Sequence, residues 1–180
     1  MLTFAELKND PQIRTYIKKA DEALAALGFT EHSFAHVTRV AAEAKMILAV
    51  LGFSEHDQEL AQIAGYLHDI GNIVNRIDHA QSGAVMAFRL LDKLGFDPED
   101  TATIVSAIGN HDESTAYPVN PVAAALILAD KTDVRRTRVR SKDKATYDFD
   151  IHDRVNYAVE KARTILEPDG SAIILNLTID

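Results

Sequence analysis

Apolar residues recur at three- and four-residue steps through most of this chain, a spacing that predicts a succession of amphipathic helices. Thr3 and Glu6 stand at capping-box distance, so a short helix opens at once and ends before Asn9-Asp10. Asp10-Pro11 starts a clearer helix, with Ile13, Tyr16, Ile17, Ala20, Leu24 and Leu27 on one face and Gly28 as its stop. The next runs from Ser33 to Leu51 and buries Val37, Val40, Ala44, Ile47, Leu48 and Leu51, which puts His36 beside the buried stripe. Ser54, with Asp57 three residues on, starts a helix that runs out at His68 and Asp69. Asp78 with Gln81 marks another start, with His79 in its first turn and Gly95 past its end. Asp97-Pro98 opens a helix on which Ile104, Ile108 and His111 share a face, and a last core helix carries Val122, Leu126, Ala129 and Asp130.

The pattern changes after Asp133. Arg135, Arg136, Arg138, Arg140, Lys142 and Lys144 form the one dense basic stretch, and Tyr147, Phe149 and Ile151 then alternate with polar residues as in a strand. Val155, Val159, Ala162, Ile165 and Leu166 return to helical spacing, and Ser171 to Ile179 alternates again. The two alternating segments are expected to pair as a small sheet. Were they not to pair within the chain, a partner subunit of a homodimer would have to cover the apolar edge. With no repeat or linker to divide it, the chain reads as a single mainly α domain over residues 1–180, with a helical core, N-terminal helices over 1–32 and a C-terminal extension over 137–180.

Composition narrows the chemistry. The formal charge of −8 disfavours unspecific adhesion to nucleic acid or to an anionic membrane. With no cysteine, disulfides, zinc–thiolate sites and a thiol nucleophile are excluded, so a transition metal must be held by nitrogen and oxygen. Without an apolar run near the ~20 residues needed to span a bilayer, or a leader motif, a cytoplasmic address is the expectation.

His-Asp occurs four times, at His56-Asp57, His68-Asp69, His111-Asp112 and His152-Asp153. The first and last stand near polar helix starts, where capping and the helix dipole account for the acid. The second ends the apolar run Ile63-Ala64-Gly65-Tyr66-Leu67, and the third follows the face of Ile104 and Ile108, so these two point inward. Adding the other inward-facing or helix-end residues gives His36, His68, Asp69, His79, His111 and Asp130. Four imidazoles and two carboxylates suit manganese, iron, cobalt, nickel or zinc better than calcium. One ion would be held by His36, His68, Asp69 and Asp130. A second, about 3.5 to 4 Å away, would take His79 and His111 with Asp69 as bridge; one or two ions are read, with two favoured, and with one ion His79 and His111 would instead bind phosphate or move protons. His32, His56 and His152 are assigned to the surface.

The ordered set resembles the HD-domain superfamily of metal-dependent phosphohydrolases. The match lies in His36-Val37-Thr38-Arg39-Val40, His68-Asp69-Ile70-Gly71, His79-Ala80-Gln81-Ser82-Gly83-Ala84, His111 and Ala129-Asp130-Lys131, and spans residues 33 to about 136, which would be the core. The resemblance implies an HD-like helical bundle, bound divalent metal and hydrolysis of a phosphate ester or anhydride, usually in a nucleotide. His79 and His111 are similar to the extra histidines of the two-metal branch. Many relatives carry lysine where this chain has Asn72, and the paired histidines of the cyclic dinucleotide branch become His111-Asp112 here, which sets that branch aside. The expected chemistry is in-line attack on phosphorus by a metal-bound hydroxide, with Asp69 bridging the metals and orienting the attacker, and Lys131 or Arg135 stabilising phosphoryl charge. Arg135 and Arg136, about one turn beyond Asp130, are candidates for substrate binding, and the partner is a small phosphorylated molecule. Two rivals are a diiron HD-type oxygenase, which the same six ligands allow, and a non-catalytic nucleotide-sensing module.

Overall fold

A computed structural model describes residues 3–140 and 151–180. Its helices are α1 (Phe4–Leu7), α2 (Pro11–Ala26), α3 (Phe34–Val50), α4 (Glu55–Leu67), α5 (His79–Lys93), α6 (Pro98–Gly109), α7 (Pro121–Thr132) and α8 (Ile151–Ala158), followed by β1 (Val159–Leu166) and β2 (Ile173–Ile179). Single 3-10 turns stand at Ile70–Ile73, straight after the end of α4, and at Arg136–Arg138.

The caps explain most of these boundaries. Thr3 and Glu6 close a reciprocal capping box, the Asp10 carboxylate accepts from the Gln12 and Ile13 amides, and Ser33, Ser54, Asp97 and Asn120 each accept from an amide of the first turn. Asp78 departs from the expected capping. Its backbone is left-handed, with φ of 57°, and its side chain caps nothing.

The apolar faces of α3, α4, α6 and α7 meet in one core, where Val40, Ala41, Ala44, Ala64, Leu67, Ile104, Ile108 and Leu126 are all essentially inaccessible. Two glycines permit close approach. A Cβ on Gly65 would stand 2.8 Å from Ala41 Cα, so α3 and α4 cross almost backbone to backbone. A Cβ on Gly71 would stand 1.9 Å from the His79 carbonyl oxygen and 2.5 Å from the Gly83 nitrogen, which locks the turn after α4 against the first turn of α5. That lock carries His68, Asp69 and His79 into one place.

The C-terminal expectations need correction. The helix ends at Ala158, and residues 159–166, expected to continue it, form β1. β1 pairs antiparallel with β2, from Val159 opposite Ile179 to Leu166 opposite Ile173, with an irregularity between Val159 and Lys161. Ile151 is the first residue of α8 rather than the end of a strand, while the alternation over 146–150 lies outside the described residues. The reversal is made by Glu167-Pro168-Asp169-Gly170, with Gly170 at φ 71° and its amide donating to the Glu167 carbonyl at 2.9 Å. The strand pair is therefore completed within the chain. No helix among the described residues is long and apolar enough to cross a membrane.

Candidate metal centre

His36 comes from the first turn of α3, His68 and Asp69 from the end of α4, His79 from the start of α5, His111 from just past α6, and Asp130 from the last turn of α7. Their side chains converge on one point. His36 Nε2 lies 3.4 Å from Asp69 Oδ2 and 3.3 Å from Asp130 Oδ1, and His68 Nε2 lies 3.1 and 3.6 Å from the same two oxygens. His79 Nε2 is 3.6 Å from the other Asp69 oxygen, Oδ1. The rings of His36, His68, His111 and His79 follow one another edge to face, with centroids 5.3, 4.9 and 5.1 Å apart.

What the main chain does with these imidazoles is uniform. Nδ1 of His68 faces the carbonyl of Gly65 at 2.8 Å, that of His79 the carbonyl of Arg76 at 3.0 Å, and that of His111 the carbonyl of Ile108 at 2.7 Å. A carbonyl can only accept, so each Nδ1 carries the hydrogen and each Nε2 of a neutral ring keeps its lone pair for the cavity. His36 reaches the same state through a carboxylate, with Asp133 Oδ2 at 2.8 Å from its Nδ1.

The inner atoms are left without partners. His36 Nε2, His68 Nε2 and Asp69 Oδ2 are buried and make no hydrogen bond among the described residues. Unpaired buried polar atoms are costly, so three aimed at one another call for a ligand that accepts lone pairs. Among the described residues two overlapping donor sets satisfy that demand: His36, His68 and Asp130, and His68, Asp69 and His111, with the ligand atoms of each within 4.8 Å of one another. Nitrogen and carboxylate oxygen in these proportions fit a divalent transition metal. Asn72 supports the arrangement from outside, its Nδ2 donating to Asp69 Oδ1 and to the Asp69 carbonyl, both at 2.9 Å.

Without a metal, protons fill the centre. Burial disfavours charge on His36 and His68, but Asp130, Asp133 and Asp69 outweigh it for the first and Asp69 and Asp130 for the second, raising them to about 9 and about 10. Burial likewise opposes the charge on Asp69 and Asp130, yet the imidazoles hold both well below the usual carboxylate range. Burial drives His111 down to about 4 and lowers His79, so these two are neutral.

The profile of the HD domain matches residues 33–158. The chain belongs to the HD domain family. The match extends through α8, beyond the 136 expected from the motifs. An uncharacterized protein of Methanocaldococcus jannaschii is 26% identical to it, over 99% of this chain and 76% of that protein. A ribonuclease Y of Opitutus terrae is 29% identical over 66% of this chain, which spans only 21% of the enzyme's length. Among solved structures, a predicted HD superfamily hydrolase from an uncultured Thermotogales bacterium superposes with a TM-score of 0.53 at 29% identity, covering 73% of this chain and 74% of that one.

In this HD domain the centre opens into a cavity of about 340 Å³. It is lined by Asp69, His79, His111 and Asp130 of the centre and by Ile151, His152, Val155 and Asn156 of α8. Lys131 lines it while bonded to Glu113 and Asp130. Arg135 is committed elsewhere, to Asp133 and Glu31, and Arg136 to the Tyr157 carbonyl and Asp180; neither lines the cavity. Arg138 does line it, but donates to the Glu31 and Asp133 carbonyls.

The surface histidines divide. His56 is half-exposed and pairs with Asp100 at 2.7 Å, and His152 is half-exposed at the cavity wall. His32 is not a surface residue. It is buried in the wall beside His36, with its Nδ1 2.8 Å from the Thr30 carbonyl, and burial lowers it to about 3. Asp133, Asn72 as a support of Asp69, and Arg76 are further residues of the site that the motifs do not mark. The signal for Asp133 was one turn of spacing: it follows Asp130 by three residues and faces the same histidine.

Proposed function

We propose that this HD domain is a metal-dependent phosphohydrolase acting on a small phosphorylated molecule, with a nucleotide the preferred class. The observation that carries the reading is the convergence of His36 Nε2, His68 Nε2 and Asp69 Oδ2, buried and without a hydrogen bond among the described residues, next to the cavity that Asp69 and Asp130 line. Charge supports it. Among the described residues five carboxylates (Asp69, Asp112, Glu113, Asp130 and Asp133) line the cavity against three permanent cations, Arg76, Lys131 and Arg138. The protons that His36 and His68 carry in the metal-free centre only offset that excess of negative charge, so a bound phosphate calls for further positive charge, which a divalent ion replacing those protons would supply.

His36, His68, Asp69 and Asp130 would hold that charge, and His79 and His111 extend the donor set toward a second position. A divalent ion in this setting supplies Lewis acidity, lowering the pKa of water toward neutrality and drawing charge from phosphoryl oxygens. The residues do the rest. Asp69 presents one oxygen to His36 and His68 and the other to His79, and Asn72 holds the carboxylate in that orientation. His79 and His111, neutral and with Nδ1 committed, offer Nε2 as proton acceptors beside the reacting group, or as ligands. Lys131 places its ammonium at the rim, where it can stabilise charge on the leaving side. The volume sits at the small end of ligand pockets, about 300 to 1,000 Å³, enough for one nucleotide-sized group.

The test is a phosphate-release screen over nucleotides and small phosphate esters with protein stripped of metal and reloaded with manganese, cobalt, nickel, iron or zinc. Release that needs the metal and is lost in Asp69→Ala is the expected result. Release that persists in fully loaded Asp69→Ala would refute the assignment.

A further inference from the structure

We propose that Arg76 is the residue that grips the anionic group of the substrate, an inference that rests on the phosphohydrolase reading above. Arg76 sits in the connection between the 3-10 turn after α4 and helix α5. Asn75 Oδ1 accepts from the Ile77 amide at 2.9 Å, and Asp78 reverses the chain with φ of 57°. The reversal leaves Arg76 half-buried in the cavity wall beside the centre.

Its contacts there are weak. One guanidinium nitrogen, Nη1, is 3.4 Å from Asn72 Oδ1 and 3.4 Å from His79 Nε2, at the long limit for a hydrogen bond. The group also lies 5.8 Å from the centre of the Phe29 ring. No carboxylate stands within ion-pair distance of it among the described residues. The other cations of the wall differ: Lys131 is paired with Glu113 and Asp130, and both donating nitrogens of Arg138 are on main-chain carbonyls.

A guanidinium partly withdrawn from water without a directly paired carboxylate, with Asp112 acting on it only through space, is unfavourable on its own. It becomes favourable when a phosphate arrives, because the planar fork matches two phosphate oxygens. The place is right for that. His79 Nε2 lies between Arg76 and Asp69 Oδ1, so an anion on the fork stands at the edge of the histidine–carboxylate cluster. His79 gives Arg76 up easily, since its own orientation comes from the Arg76 carbonyl and not from the side chain.

The test uses the 180-residue chain loaded with manganese and inorganic phosphate as the probe, titrated calorimetrically into wild type, Arg76→Met and Arg76→Lys. Metal content and thermal midpoint are measured on each. Arg76→Met should weaken phosphate binding about 10- to 100-fold, the weight of charge-assisted hydrogen bonds, and Arg76→Lys should recover part of it, both with wild-type metal content. For a substrate found by the release screen, KM should rise in the same order. Wild-type affinity in Arg76→Met would overturn the proposal while leaving the phosphohydrolase reading intact. Metal loss in both variants would also overturn it, making Arg76 a support of His79. A wild type that neither binds phosphate nor hydrolyses any ester would overturn both.

Discussion

Nδ1 of His68, of His79 and of His111 faces the carbonyl three residues before it, whereas Nδ1 of His36 faces a carboxylate 97 positions away. The first three rings are oriented by the ends of their own elements. The fourth depends on Asp133, which also takes hydrogen bonds from Arg135. Asp133→Asn keeps the shape and removes the charge that makes His36 a stronger donor, so metal affinity should fall about 10- to 100-fold. Competition with a calibrated chelator measures this, and unchanged affinity would show that Asp133 serves the fold alone. The six residues gathered from the sequence were legible because each sits where an apolar face or a helix end makes a polar side chain costly. Asp133 was not, since an aspartate past a helix end has an ordinary explanation as a solvated residue. His32 was hidden similarly, in a polar stretch after Gly28, and its burial is tertiary: Arg138 and Asp21 bond to the main chain of that stretch and the His36 ring lies against its own. Arg76 carried no local signal, because its meaning lies in what surrounds it.

Helix starts in this chain were written locally, by Asp10-Pro11, Ser33, Ser54 and Asp97-Pro98, and the structure places them there. The boundary between α8 and β1 was not. Val155, Val159, Ala162, Ile165 and Leu166 satisfy a helical period, but the same stretch can pair with the 173–179 strand, and β-branched Val159, Thr164 and Ile165 suit that pairing. Pro168-Asp169-Gly170 was the available clue, a turn between two segments able to form a hairpin. Elements also constrain one another at Gly71, where even a methyl group meets the α5 backbone. Gly71→Ala should cost roughly 1 to 3 kcal/mol or more, lowering the thermal midpoint by several degrees, and should weaken metal binding as His79 is pushed from Asp69. A variant as stable as wild type would mean that the turn after α4 can shift freely.

At the scale of the molecule the metal-free centre should set the pH dependence of stability. His36 and His68 have folded values raised to about 9 and about 10, above the ordinary 6.5, so their contribution is complete below pH 6.5 and is lost as pH rises through those values. His32 and His111 are depressed to about 3 and about 4, so their contribution is complete above pH 6.5 and is lost as pH falls through those values. The thermal midpoint of chelator-stripped protein should therefore peak near pH 6.5 and fall on both sides. Added metal should lift the alkaline limb, because only neutral imidazoles bind it. A midpoint rising steadily to pH 10 without metal would contradict the cluster's charge state. The most direct measurement is a calorimetric titration of chelator-stripped wild type and His68→Ala with manganese at pH 7.5. Wild type should bind one or two ions tightly, and His68→Ala, folded by circular dichroism, should lose about 100-fold or more in affinity, since His68 belongs to both donor sets. Equal binding by the two proteins would place the metal elsewhere and contradict the account.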